Sequence, residues 1–289
     1  MTTVSERLAS VIATHSADVF ALMGNGNAYF LDALARTPVR ITAVRHETAT
    51  VAAADAYHRT SGKLAVATTT YGPGFTNAVT SLAEAAQART PLLFITGDAP
   101  VAGPRPWDVD QAGIAAAVGV PTFVLDVTAP ARITVDAIHH ALVHRTPVVL
   151  AIPYDVANQP AADDDAVPDL PALPAPLVPE KDAITQAAAL LSAARRPLVL
   201  GGRGAKAAAG PLGDLAGKLG ALTVSSAPAR GLFARRAWDL GVAGGFASEP
   251  SAALIKQADV VLVVGAGLNQ FTTAFGQGFA PDARIIQVD

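Results

Sequence analysis

Cysteine is absent from this 289-residue chain, which rules out a disulfide framework and any thiolate metal centre. Charge is sparse as well: 21 Lys and Arg stand against 24 Asp and Glu, and charged residues make up 16% of the sequence. With a net charge of −3 and no cluster of Lys or Arg, the chain does not read as a nucleic-acid binder. Long apolar runs are missing too. The longest, around Val260–Val264, falls far short of the roughly 20 residues a membrane span needs. The opening MTTVSERLAS has no basic stretch followed by an apolar one, so it is no signal peptide. A cytoplasmic protein without membrane or nucleic-acid partners is the expectation.

What is present is core material, since 51% of the residues are hydrophobic. Val4, Leu8, Val11 and Ile12 recur at helical spacing over residues 3–16. Short apolar runs then alternate with helix-length segments: 18–23, 39–44, 64–70, 91–96, 121–126 and 147–152. Unalternated apolar runs separated by helices are the pattern of a parallel sheet covered on both faces. Residues 1–156 are therefore predicted to be one α/β domain. Residues 157–182 hold six prolines and a three-aspartate run and read as a semi-extended linker. The β/α rhythm returns with a helix at 183–195 and strands at 197–202, 221–226, 259–265 and 284–289. The fold class is two doubly wound parallel-sheet α/β domains, the second over 183–289 and expected to be incomplete at its carboxyl end.

Ligands of open parallel sheets bind beyond the carboxyl ends of the strands. In the first domain those positions carry Gly24-Asn25-Gly26-Asn27, Arg45-His46-Glu47, Thr70-Tyr71-Gly72-Pro73-Gly74 and Gly97-Asp98-Ala99. Two glycine loops and a carboxylate thus share one sheet edge. Alone, Glu47 reads as a helix-start acid stabilised by the helix dipole, and each glycine loop reads as a tight turn.

Together these residues resemble the pyrimidine-binding domain of thiamine-diphosphate enzymes, in the acetolactate synthase and 2-oxo-acid decarboxylase group. The resemblance rests on Arg45-His46-Glu47, Ala54-Asp55-Ala56-Tyr57-His58-Arg59, Gly62, Thr70-Tyr71-Gly72-Pro73-Gly74 and Thr76-Asn77. HRTPVVLAIPYDV (144–156) resembles the end of that domain. RRPLVLGGRGA (195–205) and ADVVLVVGAGL (258–268) resemble the family's Rossmann-like central domain. The resemblance implies a doubly wound pyrimidine-binding domain, thiamine diphosphate with Mg²⁺, a 2-oxo acid substrate and a homodimer or homotetramer.

It also implies roles. Glu47 would be the catalytic proton partner of the cofactor's aminopyrimidine, favouring the imino form that draws a proton from the reactive carbon. The apolar strand before it and the alanines after it are expected to line an apolar pocket. Asn25, Gly26, Thr70, Gly72, Pro73 and Asn77 would contact the cofactor or shape its loops. Tyr71 stands where the family usually has serine, and it is placed near the substrate with Asp110 and Gln111. The paired histidines of pyruvate-type decarboxylases are missing there. His139-His140 lies mid-helix and reads as a solvated face. Gly202-x-Gly204-x-x-Ala207 is a loose dinucleotide match, read as a structural turn, although FAD occurs in the central domain of some members.

No Gly-Asp-Gly occurs in the chain, so the motif that grips Mg²⁺ in this family is not here and no metal ligand is assigned. The resemblance thus predicts the amino-terminal portion of a longer enzyme, inactive alone, that decarboxylates a 2-oxo acid and ligates the product as acetolactate synthase does. The alternatives are a benzoylformate decarboxylase-like enzyme, a flavin- or nicotinamide-dependent oxidoreductase, and a non-catalytic subunit.

Overall fold

The computed structural model describes residues 2–103, 109–162 and 167–289. The three-aspartate run at 163–165 lies outside them. The chain separates into two compact units, 1–175 and 176–289.

In the first unit the order is α1 (Val4–His15), β1 (Asp18–Ala21), α2 (Ala28–Leu34), β2 (Arg40–Ala43), α3 (Glu47–Ser61), β3 (Ala65–Thr69), α4 (Pro73–Gln87), β4 (Leu92–Asp98), α5 (Gln111–Ala117), β5 (Thr122–Val124), α6 (Pro130–His144) and β6 (Pro147–Pro153). Local chemistry sets the boundaries. Thr3 and Glu6 form a capping box at the start of α1, each side chain bonding the other's backbone N–H. Gly62 ends α3 in the left-handed region, at φ 73°.

All six strands pair in parallel, in the order β2-β1-β3-β4-β6-β5. The central β3, β4 and β6 are buried almost throughout, with helices on both faces. Two apolar clusters result, one on each side of the sheet. One joins α1, α2 and α6 to the sheet through Leu8, Ile12, Phe30 and Ile138. The other joins α3, α4 and α5 through Val51, Phe75, Leu82 and Ala115. β2 is an edge strand and three of its four residues are exposed.

Several details depart from the sequence reading. Gly97 and Asp98 are strand rather than loop, because they continue the β4 ladder opposite Ile152 and Pro153. The expected linker begins packed: Ala157 and Ala161 are buried, and their segment bonds to Thr2, Val4 and Ser5. His139 and His140 are half-buried rather than solvated, since α6 sets His140 against Phe123 of β5.

The second unit runs α7 (Lys181–Ala193), β7 (Pro197–Gly201), α8 (Ala209–Leu219), β8 (Leu222–Ser225), β9 (Asp239–Val242), α9 (Glu249–Ile255), β10 (Val260–Val264) and β11 (Arg284–Val288). Its sheet is also parallel, ordered β11-β10-β7-β8-β9. β9 is an addition to the sequence reading. Gly241 at φ 85° and a register shift against β8 break its pattern, and it lacks an apolar run.

Candidate functional site

The chain passes from β1 outward to β2 and returns on the other side of β1 as β3, which makes the β1/β3 boundary a topological switch point. The loops leaving the carboxyl ends of these two strands meet there. Gly26 N–H donates to Thr70 Oγ1 at 2.9 Å. A Cβ on Gly26 would stand 2.5 Å from Tyr71 Cδ1, and one on Gly97 would stand 2.6 Å from Gly26 Cα. Neither glycine has room for a side chain, so the β1 loop lies flat on the end of β4 and under the Tyr71 ring. Asn25 Nδ2 donates to Tyr71 Oη at 3.4 Å, closing the contact between the loops.

Gly72 adopts φ 60°, ψ −118°, a conformation reserved in practice for glycine, and leads into Pro73 at the first turn of α4. Gln111 holds this turn. Its Oε1 accepts the Gly72 N–H at 2.8 Å, and its Nε2 donates to Gly97 O at 2.9 Å and Asp98 Oδ1 at 3.1 Å. Gln111 is buried, a position its neighbour Asp110 does not share. Asp110 is exposed and caps α5, accepting from Gly113 N–H at 2.7 Å.

Glu47 opens α3 beyond the carboxyl end of β2, and His46 Nδ1 caps that helix by accepting from Thr48 N–H at 3.2 Å. Glu47 Oε2 accepts from Asn77 Nδ2 of α4 at 3.0 Å. Thr48 Oγ1 donates to Asn77 O, so α3 and α4 are tied at this point. Glu47 Oε1 has no hydrogen-bond partner among the described residues. The expected apolar pocket is not built around it. Glu47 is half-buried and Arg45, His46, Thr42 and Ala43 are exposed, because the outer side of edge strand β2 has no neighbouring strand in this unit.

The structure therefore assembles Asn25, Gly26, Thr70, Tyr71, Gly72 and Gln111 into one bonded group. Asn77, on the helix that Gly72 and Pro73 begin, carries the link to Glu47. Sequence reasoning passed over two members of the group. Asn27 is buried and pins the β1 loop, accepting from Gly24 N–H and donating to Leu22 O and Thr68 Oγ1. Thr96 is buried and donates to Thr70 O at 3.1 Å. An asparagine inside a Gly-x-Gly-x loop was the available signal for the first; nothing local marks the second.

A half-open carboxylate beside glycine loops at a parallel-sheet switch point defines a small-molecule or cofactor site of a doubly wound α/β protein. Comparison with known proteins gives the class. Residues 2–114 match the model of the thiamine pyrophosphate enzyme N-terminal TPP binding domain, and residues 184–289 match that of the thiamine pyrophosphate enzyme central domain. The chain belongs to the thiamine pyrophosphate enzymes. It is 32% identical over 263 residues to an acetolactate synthase of Mycobacterium leprae, an overlap of 87% of this chain and 42% of that protein. With pyruvate oxidase of Lactiplantibacillus plantarum the identity is 31% over 283 residues, 94% of this chain and 46% of that protein. With a probable 2-ketoarginine decarboxylase of Pseudomonas aeruginosa it is 30% over 301 residues, 99% and 52%. The chain spans about half the length of the curated relatives it matches.

In the second unit the comparable switch point, between β7 and β10, is filled by backbone. Gly202 N–H donates to Val264 O at 2.8 Å and Gly204 N–H to Gly265 O at 3.0 Å. A Cβ on Gly202 would stand 1.9 Å from Gly265 O. These amides do not face a diphosphate. A separate open groove of about 480 Å³ lies at the ends of β8 and β9, lined by Ala227, Arg230, Leu240, Val242, Phe246 and Ser248.

Proposed function

We propose that this chain supplies the pyrimidine-binding side of a thiamine-diphosphate-dependent enzyme that decarboxylates a 2-oxo acid and joins the product to a second carbonyl compound. The observation that carries the reading is the Glu47–Asn77 pair beside Gly72-Pro73 at the β1/β3 crevice. The carboxylate suits an aminopyrimidine: one oxygen is fixed by Asn77 and the other has no partner among the described residues. When bound, the cofactor supplies the electron sink for cleavage of the bond to the carboxylate carbon. Glu47 Oε1 would take and return a proton at a ring nitrogen of the bound cofactor, while Asn77 keeps the carboxylate from turning away. Thr70 and Gln111 hold the two glycine loops in place, and Tyr71 with Asn25 would border the substrate side.

The same reading assigns the diphosphate and Mg²⁺ to residues of a further domain, in a homodimer or homotetramer. Among the described residues no group of three or more His, Asp or Glu side chains comes together to hold a metal. FAD does not suit the β7/β10 crevice, where the Gly202 and Gly204 amides are engaged by Val264 O and Gly265 O.

Carboligation is favoured by the likeness to acetolactate synthases, whereas the likeness to the probable 2-ketoarginine decarboxylase supports release of an aldehyde as the second reading. The test is thiamine-diphosphate-dependent consumption of pyruvate and longer 2-oxo acids by the complete enzyme, with the product identified as ligated or free. Glu47→Gln keeps the bond from Asn77 and removes the proton site, so turnover should fall about 10²- to 10⁴-fold. Activity within a few-fold of wild type would refute the assignment.

A further inference from the structure

Helix α6 carries Arg132, Asp136, His140 and His144 four residues apart, so the four lie in one row down its surface. The upper two pair with each other, Arg132 Nε lying 3.1 Å from Asp136 Oδ2. The lower two make no such pair. The His140 and His144 rings lie with centroids 4.2 Å apart and planes inclined by 41°. Neither imidazole has a hydrogen bond among the described residues. Phe123 of β5 meets the His140 ring edge-on at 5.7 Å on one side, while His144 is exposed at the end of the helix.

We propose that His140 and His144 form a site for a borderline divalent cation, Zn²⁺ or its Ni²⁺ and Cu²⁺ analogues, bound by one nitrogen of each ring. Imidazole is the commonest protein ligand for such ions, and histidines four apart on a helix present both rings to one cation. Zn–N bonds of about 2.0–2.1 Å in tetrahedral geometry hold two nitrogens roughly 3.4 Å apart. Two imidazoles on one such ion have ring centres roughly 5 Å apart with the metal in both ring planes, so His144 swings outward from its present 4.2 Å contact with His140 to bind. His144 stands in the last turn of α6, where the helix dipole favours positive charge. Asp136 is engaged by Arg132, so solvent completes the coordination and the site is open and exchangeable. Nitrogen ligands select against Mg²⁺ and Ca²⁺, which require oxygen.

The location separates this site from the one at Glu47. The last turn of α6 leads into the start of β6, at the amino ends of the strands, whereas Glu47 and the glycine loops lie at the carboxyl ends. A cation held there lies at the opposite end of the strands from Glu47 and takes no part in the proton transfer.

The experiment is titration of the tag-free chain with ZnCl₂, followed by calorimetry and by the imidazole ¹H–¹⁵N signals of its six histidines. One equivalent should bind, shifting the signals of His140 and His144 together, and excess MgCl₂ should not displace it. His144→Ala, at an exposed position, should keep the fold by circular dichroism and lose the binding, while His58→Gln should retain it. Binding that survives His144→Ala, zinc spread equally over all the histidines, or no binding at all would overturn the proposal.

Discussion

Gln111→Leu tests the claim that one buried side chain holds the two loops of the site. Leucine keeps the volume and removes all three hydrogen bonds. Gly72 N–H is buried and loses its Gln111 partner, whereas Gly97 O, also buried, keeps the Thr96 hydroxyl at 3.1 Å. An orphaned buried group costs about 1–3 kcal/mol and an ordinary lost hydrogen bond about 0.5–1.5 kcal/mol, so the two amount to roughly 1.5–4.5 kcal/mol. Partial relaxation of the Gly72 turn towards solvent places the expected value in the lower half, about 2 kcal/mol. For a unit of this size each kcal/mol lowers Tm by about 2–4 °C, giving a fall of roughly 4–8 °C. Urea unfolding read by circular dichroism measures the loss, and amide exchange in β4 and β6 assigns it to the first unit. The variant should also loosen Gly72 and Pro73, seen as faster exchange at Thr76 N–H in the first turn of α4. A loss below about 1 kcal/mol, inside the range of an ordinary surface substitution, would refute the clasp.

Two further outcomes follow from burial and from close packing. Burial of His15, whose Nε2 has no hydrogen-bond partner among the described residues, pushes its imidazole below the ordinary histidine value of 6.5. The unfolded chain then binds the proton more readily, so this contribution to stability is complete above pH 6.5 and is lost as pH falls below it. Urea midpoints from pH 8 down to pH 5 should fall less steeply for His15→Gln than for wild type; parallel curves would remove the assignment. Gly202→Ala forces a methyl group into the Gly265 carbonyl, where the gap is 1.9 Å and both sides are backbone. The cost should exceed the roughly 1–3 kcal/mol of ordinary overpacking. Limited proteolysis should degrade the second unit while the first stays resistant, and an intact second unit would show that the crevice has slack.

The strands legible in the sequence were those whose burial depends least on what lies beside them. β3, β4 and β6 are covered on both faces, so they read as continuous apolar runs. β9 did not, because an edge strand with one glycine at positive φ carries no such run. The same distinction explains Glu47. Its place after a strand and at a helix start was readable from order alone, whereas its surroundings depend on whether β2 has a neighbour on its outer side. That fact belongs to the sheet order and not to the local residues. Gln111 was singled out near the substrate, yet its partners lie 39 and 14 residues away along the chain. Only the closure of β3, β4 and α5 together turns it into a clasp for the loop.

Glycine loops show the limit in its sharpest form. Gly26 and Gly202 both follow the first strand of a doubly wound sheet, and both lie at a switch point where a ligand is expected. The neighbours of each missing Cβ separate them. At Gly202 the neighbours are the Gly265 carbonyl and the Ala266 Cα, backbone that cannot move aside, and the amides bond to that same segment. At Gly26 the nearest atom is the Tyr71 ring, with the Gly97 backbone at 3.0 Å, and the amide bonds to the Thr70 hydroxyl, so side chains as well as backbone hold the loop. Among the described residues the first unit leaves a carboxylate oxygen of Glu47 unengaged at this sheet edge, and the second closes its crevice with its own peptide groups. A glycine packed on backbone and a glycine at a candidate ligand site are the same letter. What distinguishes them is whether polar groups at the same strand ends keep hydrogen-bonding capacity, as Glu47 Oε1 does among the described residues.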